Sequence, residues 1–449
     1  MHQRFPRDFT WGVATSAFQI EGAADLHGRG ESIWDVFCRR PGAVKDGSDG
    51  RVATDSLRRR REDLALMREL GVGAYRLSVA WPRVLPHGTG RVSEPGLDAY
   101  DRLVDELLAA GVDPWVTLYH WDLPQVLEAR GGWPVRATAE AFADYAEVVA
   151  RRLGDRVRHW ITINEPWCAA MLGYQAGVHA PGRMSWPDAL AASHHLLLAH
   201  GLGVQAVRSA APDAQVGITL NFTPAWPASA SAADAEAARW FDAWFNRWYL
   251  EPVCGRGYPA DQLAAYQALG LTAPGQPAWL RPGDLATIAV PTDFLGVNFY
   301  TRAICRGDEE GNLPRVLQEP GPEARTDIGW EVHPASLGRL LRRLGRTYAG
   351  PLVVTECGAA WHDGPGADGR IHDARRTAYL AAHLDEAAAA VADGVPLRGW
   401  FTWSLIDNFE WAEGTTQRFG LAWVDPVTLR RTLKESGRWY GTRVRAGGR

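Results

Sequence analysis

The feature that most constrains this chain is a repeated change of pattern. Short apolar runs rich in β-branched and aromatic residues alternate, from one end to the other, with alanine- and leucine-rich stretches of helical period. The runs fall at 9–15, 73–79, 113–119, 157–163, 215–220, 293–299, 351–355 and 398–403. Helices are expected over 61–70, 96–110, 139–153, 186–210, 232–249, 334–348 and 374–393. A strand that is apolar at nearly every residue must be covered on both faces, and strand–helix alternation supplies that cover for parallel strands. Eight such units in unbroken alternation predict an α/β fold, a closed (β/α)8 (TIM) barrel in preference to an open doubly wound sheet. No linker or low-complexity tract divides the chain, so residues 1–449 are expected to form one domain.

A barrel of this kind collects its chemistry at the carboxyl ends of its strands. Taken in order, those ends carry Gln19 and Glu21, Arg76, His120 with Trp121, Asn164 with Glu165, Asn221, Asn298 with Tyr300, Glu356, and Trp403. Segments 300–330 and 404–430 are long for this fold and lie on the same rim. They are expected to be loops that shape a binding site.

Two of these residues stand out. Glu165 closes Ile-Thr-Ile-Asn-Glu-Pro and Glu356 follows Leu-Val-Val-Thr, so each sits where a buried strand opens into a loop. A carboxylate there has a low-dielectric floor on one side and an open mouth on the other, which can push two pKa values apart. Two such groups flanking a bond are the minimal machinery for cleaving a glycosidic linkage. Either glutamate alone could equally cap a strand or pair with an arginine.

The remaining composition narrows the field. An apolar fraction of 46% with 22% charged residues is that of a soluble globular protein. A net charge of −4 gives no electrostatic basis for binding nucleic acid or an anionic membrane. The four arginines at 58–61 run directly into Glu62 and Asp63 and open an amphipathic pattern, as a solvated helix face does. No apolar run is long enough to cross a membrane, and the first nine residues lack the core of a secretory signal. The five cysteines are scattered and never spaced Cys-x-x-Cys, which fits reduced thiols in a cytoplasm. His194 and His195 lie in an apolar helical stretch and are expected to pack there. The Gly-x-Gly at 201–203 sits inside the same helix, where a dinucleotide fingerprint cannot work. No metal or cofactor is expected. Lysine occurs only at 45 and 434.

Taken together, the motifs closely resemble glycoside hydrolase family 1, the retaining β-glucosidase type. They are Phe-Thr-Trp-Gly-Val-Ala-Thr-Ser-Ala-Phe-Gln-Ile-Glu-Gly (9–22), Tyr-Arg-Leu-Ser (75–78), Tyr-His-Trp-Asp-Leu-Pro (119–124) and Asn-Glu-Pro (164–166). His-Ala-Pro-Gly (179–182), Asn-Phe-Tyr (298–300), Thr-Glu (355–356) and Trp-Ser-Leu-Ile-Asp-Asn-Phe-Glu-Trp (403–411) complete them. The resemblance spans about residues 5–440 and implies Glu356 as nucleophile and Glu165 as general acid/base. It also implies Arg76 and Tyr300 as partners that keep Glu356 ionised and oriented. A sugar-binding set follows: Gln19, His120, Asn164 and Glu410 for hydroxyls, Trp403 and Trp411 as the aromatic wall, with Trp121, Asn298 and Tyr300 beside them. Within it, Asn164 would hold the 2-hydroxyl, and Glu410 the 4- and 6-hydroxyls. Trp330 resembles the wall on the aglycone side. Trp403 and His120 could instead be plain core residues.

The chain departs from the pattern at a few places. Cys357 stands where the family normally has asparagine, which is expected to put a thiol beside the active site. Thr415, Thr416 and Gln417 depart in the loop after Trp411 and are expected to bear on the entrance. Ser56 and Leu57 replace a His-Tyr pair. The resemblance implies hydrolysis of a small β-glycoside or oligosaccharide from its non-reducing end, a β-D-glucoside first with the β-galactoside and β-fucoside as further candidates, without a nucleic-acid or membrane partner. Two alternatives use the same barrel: a transglycosylase with the same carboxylates, and a non-catalytic sugar-binding protein.

Overall fold

The computed structural model describes residues 5–308 and 315–447. The first four residues, part of the stretch read for a secretory signal, and residues 309–314 of the expected 300–330 loop lie outside them. Eight parallel strands close into a barrel: β1 (Thr10–Ala14), β2 (Ala74–Ser78), β3 (Asp113–Tyr119), β4 (His159–Asn164), β5 (Gln215–Phe222), β6 (Phe294–Phe299), β7 (Leu352–Cys357) and β8 (Leu397–Trp403). Each strand pairs with its neighbours in chain order and β8 closes on β1, with Trp11 opposite Trp400.

Strand alternation decides what enters the barrel. In β2, Tyr75 and Leu77 face the outer core beneath the helices, so Ala74, Arg76 and Ser78 point inward. The inner core is small and dense, built from Trp115, Ile161, Phe294, Val353 and Phe401 with Ala14 and Ala74. Its bulky rings fit because β1 and β2 are lean there. A Cβ added at Gly12 would lie 2.4 Å from the Phe401 ring. Arg76 is thus carried on an inward position within β2.

The helices cover the outside, and the longest, Trp186–Ala210, starts where the Ser185 hydroxyl accepts from the Asp188 amide and Pro187 fills the first turn. His194 and His195 pack in it as expected: His194 bonds Asp284 and Tyr258 at 2.9 Å each, and His195 the Trp133 carbonyl. Gly201 serves close packing, since a Cβ there would meet the Thr287 carbonyl oxygen at 2.0 Å.

Three expectations need correction. The helix expected over 61–70 runs Ser56–Leu70. Its arginine run lies within that span, which kinks at Arg59 (φ −101°, ψ 17°), and three of the arginines are paired: Arg58 with Asp55, Arg59 with Glu62, Arg60 with Glu106. Ser56 bonds the Thr54 hydroxyl and the Arg431 guanidinium. The stretch 232–249 is an α-helix (Ala232–Phe241), a π-helical turn (Asp242–Arg247) and a second α-helix (Trp248–Val253). The two long rim segments are partly regular. Ala303–Gly307 and Val316–Glu319 form a small sheet with Ala225–Pro227, and Ala422–Val424 pairs with Arg431–Leu433. Among the described residues no helix is long and apolar enough to cross a membrane.

Candidate active site

A cavity of about 700 Å³ opens at the carboxyl rim of the strands. Glu165 and Glu356 both line it, together with His120, Trp121, Asn298, Tyr300, Trp330, Trp403, Glu410 and Trp411. Ten of the sequence-predicted residues therefore converge on one space.

Glu356 is held from two sides. One Arg76 Nη donates to its Oε1, and the Tyr300 hydroxyl donates to Oε2 at 2.5 Å. The same guanidinium donates to the Thr355 carbonyl, the Thr117 hydroxyl and, at 2.6 Å, Asn164 Oδ1. A planar fork of fixed donors can bind strands β2, β3, β4 and β7 in this way; an ammonium cannot.

Glu165 is held differently. Its Oε1 accepts from Asn298 Nδ2 at 2.7 Å, and its Oε2 lies 3.3 Å from the Cys168 thiol. Among the described residues no guanidinium or ammonium lies within ion-pair reach of it. Burial, reinforced by the Glu356 charge, pushes its pKa up to about 8. The Asn298 amide is orientated from below: Thr355 donates to its Oδ1 at 2.7 Å, after receiving from Thr219 at 3.2 Å. The amide nitrogen is thereby turned toward Glu165 and Asn164.

Glu410 is the third carboxylate. Burial first, then Glu356 and Glu165, raise its pKa to about 8; its nearest polar support is Gln19 Nε2 at 3.4 Å. Gln19 and Asn164 are fully buried and stand one layer behind the cavity wall. Gln19 meets Glu410, Asn408 and the Phe409 carbonyl, and Asn164 meets Arg76, Asn298 and His120. His120 is held well below its usual pKa by burial and by Arg76, so it is neutral. The Asn164 amide donates to its Nε2 at 3.2 Å, which leaves Nδ1 as a donor without a protein partner. Trp403 and Trp411 lie nearly parallel to this ring. Trp121, Glu165 and Trp411 all adopt positive φ (76°, 47° and 49°). Such backbone in bulky residues is costly and gathers at functional sites.

Other sequence expectations land elsewhere. Glu21 leaves the rim to pair with Arg83 and accept from Tyr100 at 2.6 Å. Cys357 points away from the cavity into the outer core, 3.7 Å from the Tyr379 hydroxyl, because it alternates with the inward-facing Glu356. Thr415 is tied to Asp46 through its amide and hydroxyl and does not line the cavity. Sequence reading missed Cys168, Phe419 and the Arg302–Glu331 pair, all lining residues. For Cys168 a signal was present: it follows Glu165 by three positions, one helical turn.

A closed (β/α)8 barrel with two glutamates from β4 and β7 facing one rim cavity has the architecture of a glycoside hydrolase. Comparison with known proteins specifies which. The family model for glycosyl hydrolase family 1 matches residues 1–448. β-Glucosidase A of Acetivibrio thermocellus is 43% identical over 99% of both chains. A bifunctional β-D-glucosidase/β-D-fucosidase of Bifidobacterium breve is 43% identical over 97% of both. The structure of the Thermotoga maritima β-glucosidase in complex with glucoimidazole superposes with a TM-score of 0.94 at 40% identity, covering both chains completely. The chain belongs to glycosyl hydrolase family 1, a family of retaining β-glycosidases.

Proposed function

We propose that this chain is a single-domain, cytoplasmic β-glucosidase that also accepts the β-fucoside, with Glu356 as nucleophile and Glu165 as acid/base. The observation that carries the assignment is the asymmetry of the two carboxylates. Arg76 pairs with one oxygen of Glu356 and Tyr300 donates to the other, while Glu165 has no cation within ion-pair reach among the described residues and its pKa is raised to about 8. In the first step a Glu356 oxygen attacks the anomeric carbon as Glu165 gives its proton to the departing aglycone oxygen. The Glu356 charge is then gone, so Glu165 can take a proton from water, whose oxygen attacks the same carbon and frees Glu356. Two inversions give net retention.

The sugar-binding roles follow from groups with unspent capacity. His120 Nδ1 is a donor without a protein partner, and Glu410 is an acceptor with one weak bond. Trp403 and Trp411 offer flat apolar faces to a pyranose ring. Asn164 and Gln19 fix the groups in front of them and meet the 2-hydroxyl and the far hydroxyls as the ring settles. Trp121 and Asn298 close the floor. Trp330, packed on Tyr300 with centroids 5.1 Å apart, borders the aglycone.

Release of 4-nitrophenol from its β-D-glucoside tests the reading. Glu356→Ala should lose activity by at least about 10⁴-fold, and azide should restore part of it as the α-azide. Full activity in that variant overturns the assignment.

A further inference from the structure

Cys168 carries an arrangement that the reaction described above does not use. The thiol opens a π-helical turn (Cys168–Gln175) directly after Glu165, and its own amide donates to the Glu165 carbonyl at 3.0 Å. Its sulfur lies 3.3 Å from Glu165 Oε2, and on the other side Asn221 Nδ2 donates to that sulfur at 3.5 Å. Side chains from β5 and from the turn after β4 are thus linked in a row: amide, thiol, carboxyl. Asn221 and Cys168 both line the cavity.

A thiol in this position can serve both forms of its neighbour. Asn298 donates to Oε1, which makes Oε1 the carbonyl oxygen of the protonated acid and puts the proton on Oε2. Oε2–H then faces a sulfur that can accept it. When Glu165 is ionised, the thiol turns its proton toward Oε2 and the sulfur lone pairs receive the Asn221 amide. The thiol keeps its own proton throughout. Burial, then the Glu165 charge, drives its pKa well above the usual value. The two bonds differ in strength, since a donor to a carboxylate is charge-assisted and a hydroxyl to neutral sulfur is not.

We propose that Cys168, orientated by Asn221, is a positioning residue that favours the base form of Glu165 and so sets how readily it activates water. This inference rests on Glu165 being the acid/base. The charged and titratable groups that act on Glu165 are Glu356 and Glu410 in the cavity and the buried Arg76 paired with Glu356, with the neutral His120 and the un-ionised Tyr300 beside them. Removing the thiol leaves all of them in place. The base form alone is weakened.

The test is the pH profile of kcat/KM on 4-nitrophenyl β-D-glucoside for Cys168→Ala, Cys168→Ser and Asn221→Ala. In Cys168→Ala the alkaline limb should move to higher pH by about half a unit, since loss of a donor to the carboxylate raises its pKa. Cys168→Ser keeps a donor, so its limb should stay at or below that of the parent. Asn221→Ala should move the limb in the alanine direction by less, and should add nothing in the Cys168→Ala background, as partners in one relay do. Superimposable limbs in the parent and Cys168→Ala overturn the inference, whatever happens to kcat. So does an equal displacement in Ala and Ser, which would mark a packing effect. Glu165→Gln separates the two levels of argument. If its alkaline limb persists, the acid/base assignment itself fails; if it vanishes while Cys168→Ala leaves the limb in place, only the role of Cys168 fails.

Discussion

Two acidic triads lie within this one fold, and they are treated in opposite ways. Glu165, Glu356 and Glu410 share the cavity, and among the described residues one cation pairs with any of them, Arg76 with Glu356. Asp363, Asp373 and Asp407, behind β7 and β8, meet three cations: Arg376 pairs with Asp363 and Asp373, Lys434 with Asp363 and Asp407, Arg418 with Asp407. Burial acts on both triads in the same direction. In the second, Lys434 and Arg376 outweigh it and Asp363 lies below its ordinary pKa; in the first, Glu165 and Glu410 rise to about 8. Matched charge makes a joint, and here it anchors the rim segment that carries Trp403 to Trp411: Arg376 also donates to the Ala359 and Arg418 carbonyls. Mismatched charge makes a group that can give up a proton near neutral pH. The chain spends stability in one place and secures it a short distance away.

The contrast can be broken from either side. Arg76→Met removes the cation paired with Glu356 and should lower kcat/KM by about 10³-fold or more, as loss of a preorganised electrostatic partner does. Steady-state kinetics with 4-nitrophenyl β-D-glucoside would measure it, and a loss under tenfold would contradict the charge argument. Lys434→Met should cost about 3–5 kcal/mol of stability, because it takes one of two cations from each of two buried carboxylates, Asp363 and Asp407. Glu410→Gln, which removes a carboxylate from the mismatched triad, should leave urea stability unchanged or raised.

The pH dependence sharpens the comparison further. Glu165 and Glu410 bind protons in the folded state up to about pH 8, against ordinary values of 4.5. Between those limits the folded protein holds protons that the unfolded chain has released, so the stability these groups confer falls as pH rises through the window and is gone above it. Glu165→Gln should therefore melt with the parent at pH 4.5 and several degrees above it at pH 9. Equal melting temperatures at both would refute the pKa assignment. The smallest effect is expected at Cys357→Ala. A small buried thiol facing the outer core should change kcat/KM by less than about twofold while costing roughly 1 kcal/mol of stability.

Much of this was legible from residue order alone. The eight strands and the convergence of Glu165, Glu356 and Trp403 follow from local pattern, because strand ends in a closed barrel can only meet at its rim; Trp411 was reached through the family resemblance. Side-chain direction was less accessible. Cys357 was placed beside the cavity and Glu21 on the rim, yet one alternates outward from the nucleophile and the other turns to Arg83 across 62 positions. The π-helical turns were missed for a related reason: a π turn has the same apolar period as an α turn over so short a span. The layered support of Glu165 through Thr219, Thr355 and Asn298 depends on three strands, and no single stretch of sequence contains it.

Lys434 has a consequence outside catalysis. It is one of two lysines in the chain and is fully buried, so among lysine side chains an amine-directed coupling reagent finds Lys45 alone, whose side chain is 59% exposed. Lys45 pairs with Glu413, a residue at the cavity mouth. Attachment to a carrier through lysine would fix the molecule in a single orientation, with its entrance turned toward the support.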